Sequence, residues 1–114
     1  MSEVQIPRFN VHAAPWEPLP EFGGQEAILF RSPDGQRVAA TFKVTGKYEF
    51  EWTFDEMIYV VDGSVVITHD GGETIELTKG DMAYLSQGAK GSLEGSENFQ
   101  AVTCFISDAE ISWR

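Results

Sequence analysis

Apolar and polar residues alternate along much of this chain with a period of two. From 48 to 54, Tyr48, Phe50, Trp52 and Phe54 fall on one face and Glu49, Glu51 and Thr53 on the other. That pattern predicts a strand with one buried face. Residues 27–31, 38–44, 82–85, 90–93 and 100–106 are further short strand-like runs, most of them bounded by turns that contain glycine. Residues 57–61 are apolar throughout, which predicts a strand buried on both faces. Residues 64–69 and 73–77 flank Asp70-Gly71-Gly72 and predict a hairpin. No stretch shows a 3.6-residue apolar period. About nine short strands at this spacing predict an all-β jelly roll or small barrel.

The beginning of the chain differs. All five prolines lie within the first 33 residues. Residues 1–24 read as an irregular arm with one short strand near 4–9, and residues 25–114 as the barrel. Phe9, Val11, Trp16 and Phe22 are too apolar for a free tail, so the arm is expected to pack on the barrel or on a partner subunit. Residues 110–114 are expected to add a short strand.

At 114 residues the chain makes one domain with a single core. The net charge of −10 argues against binding to nucleic acid or to an anionic membrane. Cys104 is the only cysteine, which excludes an intrachain disulfide and fits a reducing compartment. The first 20 residues do not have the pattern of a signal peptide, and no apolar run approaches the ~20 residues needed to span a bilayer. The expectation is a soluble, cytoplasmic protein.

Two phrases carry a family resemblance. The first is Trp52-Thr53-Phe54-Asp55-Glu56-Met57-Ile58-Tyr59-Val60-Val61-Asp62-Gly63, and the second is Leu77-Thr78-Lys79-Gly80-Asp81-Met82-Ala83-Tyr84-Leu85, followed by Ser86-Gln87-Gly88. In this order and spacing, residues 52–106 resemble a small single-domain cupin. The branch is the one that holds ureidoglycine aminohydrolase-like and ethanolamine-utilisation cupins. The resemblance implies a cupin jelly-roll barrel and a homodimer. In metal-binding cupins two histidines and a glutamate come from the first motif and a fourth ligand from the second. Glu56 meets the glutamate position. The histidine positions fall on Phe50 and Trp52, the fourth ligand on Gly91, and the usual turn proline is Ser86. Three of the four ligand positions thus carry groups that cannot bind a metal, and neither His12 nor His69 is placed to replace them. The expected cofactor is therefore none. A spacing longer by one residue puts Glu49 and Glu51 in the histidine positions. With Glu56 they would form an all-oxygen site for Mg²⁺ or Mn²⁺. The alternation argues against that site, because it turns these glutamates away from the aromatic face.

Glu56 is the candidate catalytic residue. Facing the barrel interior, it would be a carboxylate in an apolar cavity, and desolvation would raise its pKa toward the range of a general acid or base. An inert, hydrogen-bonded remnant of a metal site is the competing reading. Phe50, Trp52, Glu56, Met82, Tyr84, Gly91 and Cys104 outline the expected ligand pocket, against the alternative that most of them are plain core. Cys104 has no histidine at a recognisable spacing to activate it, so it reads as a structural thiol. Three functions remain open: a metal-free binder of a small organic molecule, an enzyme similar to ureidoglycine aminohydrolase, and a structural or regulatory dimer with a filled barrel. An open cavity would set the first two apart from the third.

Overall fold

Ten strands, all paired antiparallel, form two sheets that face each other. The computed structural model describes residues 6–111. The strands are β1 (Glu17–Leu19), β2 (Gly24–Arg31), β3 (Arg37–Lys43), β4 (Gly46–Glu51), β5 (Asp55–Asp62), β6 (Ser64–His69), β7 (Thr74–Thr78), β8 (Met82–Leu85), β9 (Lys90–Gly95) and β10 (Gln100–Ile106). One sheet has the order β1-β2-β3-β10-β5-β8 and the other β4-β9-β6-β7. From β3 onward the chain repeatedly passes from one sheet to the other, as a jelly roll does. Among the described residues no helix is long and apolar enough to cross a membrane.

The period-two pattern explains which side chains meet between the sheets. Ile58, Val60, Val65, Ile67, Leu77, Phe99 and Ala101 form one buried cluster, against which Phe50, Ala83, Leu85 and Leu93 pack. Val38, Phe105 and Ile111 form a second, with Phe42 and Phe54 beside it. Burial of this kind contributes about 25 cal/mol per Å² of apolar surface and is the main force holding the sheets together.

Three expectations need correction. Residues 57–61 are not buried on both faces. Ile58 and Val60 face inward, whereas Met57 and Tyr59 are 38% and 41% exposed on the outer side of the larger sheet. Apolar composition alone cannot separate a doubly buried strand from one whose outer face is left uncovered within its own chain. Residues 6–9 form no strand, and residues 4 and 5 lie outside the described residues. The arm's strand is instead β1, paired with β2. At the other end, residues 110 and 111 form no strand, and 112–114 lie outside the described residues. Ile111 is buried, and its N–H donates to the Gly35 carbonyl.

The arm lies against the larger sheet. Gln100 Nε2 donates to the Val11 carbonyl at 2.8 Å. Lys43 Nζ stands 4.5 Å from the centre of the Trp16 ring, a cation–π contact. Leu19 is fully buried.

Candidate functional site

The link between β4 and β5 decides the site. There the chain leaves the smaller sheet and enters the larger one. Backbone bonds hold Trp52 on both sides: its N–H donates to the Ala89 carbonyl and its carbonyl accepts from the Gly88 N–H, each at 2.8 Å. Four residues on, Glu56 opens the inward face of β5. The Trp52 indole Nε1–H donates to Glu56 Oε1 at 2.6 Å. Glu56 is only 7% exposed, and burial pushes its carboxyl up to about 7, the indole bond pulling the other way.

Between the sheets, next to this pair, lies a cavity of about 400 Å³. That is a size typical of small-molecule sites. Phe50, Trp52, Phe54 and Tyr48 line it from β4 and the link that follows. Phe42 of β3, Phe105 of β10 and Phe99 add three more rings. Leu19 and Phe22 reach it from the arm, where Phe22 meets Tyr48 edge to face with ring centres 5.5 Å apart. Thr103 also lines the cavity, but its hydroxyl oxygen is sealed from solvent and has no hydrogen-bond partner.

The expected pocket is thus brought together in part. Phe50, Trp52 and Glu56 line the cavity, and Met82, Tyr84, Gly91 and Cys104 do not. Met82 and Tyr84 are 58% and 55% exposed on the opposite face of β8, whose inward side chains are Ala83 and Leu85. Tyr84 donates its hydroxyl to Asp55 at 2.6 Å, which raises the pKa of the phenol and lowers that of the carboxyl. Cys104 is half-buried on the outer side of β10, because its neighbours Thr103 and Phe105 take the inward positions. Sequence reasoning missed Phe42, Phe99, Thr103 and Phe105. A signal for two of them lies in β10, where Ala101, Thr103 and Phe105 alternate at the inward spacing.

The donor set does not fit a metal. Phe50 and Trp52 fill the histidine positions with rings. Glu49 and Glu51 are exposed on β4, and Glu51 pairs with Lys90 at 3.8 Å across the strand, so the all-oxygen alternative is not assembled. No group of three or more His, Cys, Asp or Glu side chains that could hold a metal comes together among the described residues. Gly91 has a structural reason for lacking a side chain. A Cβ there would stand 1.9 Å from the Thr68 carbonyl oxygen of β6. Gly91→Ala is therefore expected to lower stability by about 1–3 kcal/mol through forced displacement of β6, read as an earlier urea midpoint. An unchanged midpoint would mean that β6 and β9 are less closely apposed.

Residues 31–101 match the family model described as an EutQ-like cupin domain. Three solved structures illustrate the likeness. The Clostridium difficile EutQ protein is 18% identical, with 74% of this chain and 69% of that chain covered and a TM-score of 0.63. KdgF from Halomonas sp. is 22% identical, covering 80% and 85%, with a TM-score of 0.66. The Cnp3 cupin domain of Schizosaccharomyces pombe is 13% identical, covering 89% and 74%, with a TM-score of 0.73. At these identities the structures share the fold. No curated protein matches the chain.

Proposed function

The chain belongs to the EutQ-like cupin family, and on that premise we propose that it binds a small organic molecule, without a metal, in the aromatic cavity beside Glu56. The observation that carries this reading is the Trp52–Glu56 pair at the wall of an open cavity. A filled barrel would leave no such space. Aromatic walls supply apolar contact, and one carboxyl supplies orientation. Small organic compounds screened by calorimetry test the reading. At least one class is expected to bind saturably to the wild type. Ala101→Leu, which adds bulk at a buried cavity-lining position, is expected to abolish that binding while the strand content persists. Equal binding by Ala101→Leu would place the ligand elsewhere.

A catalytic use of the same site is the second reading, favoured by a carboxyl whose pKa lies near neutrality. It differs in one respect: Glu56→Gln would then abolish turnover of a bound compound and not only weaken its binding.

The protein is further read as a cytoplasmic homodimer. On the outer face of the larger sheet, Tyr59 stands opposite Met82 and Met57 opposite Tyr84, with Phe30 exposed on the same sheet. An exposed apolar face of this kind supports an interface, and twofold pairing of identical faces is the commonest solution. Tyr59→Lys combined with Met82→Lys is expected to convert the dimer to monomer at micromolar concentration in light scattering. A wild-type protein that is already monomeric would overturn this part.

A further inference from the structure

The charges around the cavity select among ligands. Its lining contains no lysine, arginine or histidine. The ionisable groups that face Glu56 can be followed element by element. From β4 comes Tyr48; Glu49 and Glu51 alternate with it and are exposed at the rim, where Glu51 pairs with Lys90. Opposite Glu56 in the larger sheet stand Phe105 of β10 and Leu85 of β8, neither of which titrates. Asp55, next in sequence, is turned outward and held by Tyr84 and the Gln87 N–H. Inside the cavity an anionic ligand would therefore meet one carboxyl and aromatic faces, whose quadrupoles repel negative charge as well.

Glu56 keeps acceptor capacity to spare at the cavity wall. Glu56 receives one hydrogen bond, from Trp52 to Oε1, and no other described residue donates to it. A buried polar group with nothing to bind is costly, and a ligand donor relieves that cost. The missing partner must bring donors to a carboxylate while tolerating aromatic walls.

We propose that the cavity takes a small organic ammonium ion with an apolar body, its N–H groups donating to Glu56 and its charge facing the aromatic rings. The inference rests on the preceding reading of the cavity as a binding site. Cation–π attraction to Trp, Tyr and Phe faces in a desolvated site adds to the ion pair. The net charge of −10 favours the approach of such a ligand from solution. Binding has a proton signature. A cation stabilises the ionised carboxylate, so below pH 7 the complex releases a proton from Glu56 as it forms, and affinity falls as the pH is lowered further.

The test is calorimetry at pH 6 and pH 8 with matched probes, run in buffers of different ionisation enthalpy. Propylammonium and phenethylammonium are each compared with the alcohol and the carboxylate of the same skeleton. The ammonium ions are expected to bind at least tenfold more tightly than their isosteres at pH 8. At pH 6 their binding is expected to release close to one proton. Glu56→Gln is expected to abolish both the preference and the proton release. Alcohols or carboxylates that bind as well as the ammonium ions would overturn this inference and leave the binding site standing. Absence of binding by all six probes would overturn both.

Discussion

Glu56→Gln is expected to gain stability over the wild type as the pH rises, by about 3 kcal/mol between pH 4 and pH 8. The sign follows from where the proton sits. Burial raises the Glu56 carboxyl from an ordinary 4.5 to about 7. Between those values the folded state holds a proton that the unfolded state has lost, so unfolding releases it and stability declines as the pH rises. Below 4.5 both states are protonated and the group contributes no penalty. Above 7 the folded protein carries a charge in an apolar wall, and the full penalty applies. A shift of roughly 2.5 units at about 1.4 kcal/mol per unit gives the magnitude. Glutamine accepts the Trp52 indole bond through its amide oxygen and never ionises. Subtracting one protein from the other in urea titrations across the pH range cancels the remaining carboxylates. A difference that stays flat with pH would mean that Glu56 ionises as it does in water.

Trp52→Ala is expected to cost about 3–5 kcal/mol, a large part of the margin of a marginally stable domain. Two losses combine. The indole is 7% exposed and packs edge to face on Phe50. Its removal also deprives buried Glu56 of its hydrogen bond. The neighbouring cavity makes relaxation ineffective, because the void left by the ring merges with space already empty. At roughly 4 °C per kcal/mol for a domain of this size, the melting temperature should fall by about 12–20 °C. Trp52→Phe separates the two effects. It keeps most of the ring volume and removes the donor, so it should cost less and push the Glu56 pKa above 7. A loss under about 1 kcal/mol for Trp52→Ala would place the indole in solvent.

Much of this fold is legible in the sequence because its signals are local. Alternation from Tyr48 to Phe54 fixes which side chains turn inward, and that places Phe50 and Trp52 in the cavity wall. The glycine turns at Gly63, Gly71, Gly72 and Gly80 have positive φ, as hairpin geometry requires, and so mark strand ends. Met82, Tyr84 and Cys104 fall outside the cavity wall for a physical reason. Strands β5, β8 and β10 are apolar on both faces, one for the core and one for an outer surface, and periodicity cannot say which is which. Register decides it: Glu56 stands opposite Leu85, so Leu85 and Ala83 share its face and Met82 and Tyr84 take the other. Leu19 and Phe22 were illegible for another reason. They reach the cavity only because the arm folds back along β2, and no local pattern encodes that contact.

A solitary carboxyl sequestered in an aromatic cavity is the centre of this account. The direct measurement is the titration of the Glu56 side-chain carbonyl by carbon-13 nuclear magnetic resonance, with Glu56→Gln assigning the signal. A midpoint near 7 is the predicted result. A midpoint near 4.5 would show a carboxyl solvated like any surface glutamate, and the cavity would lose the group on which its proposed function depends.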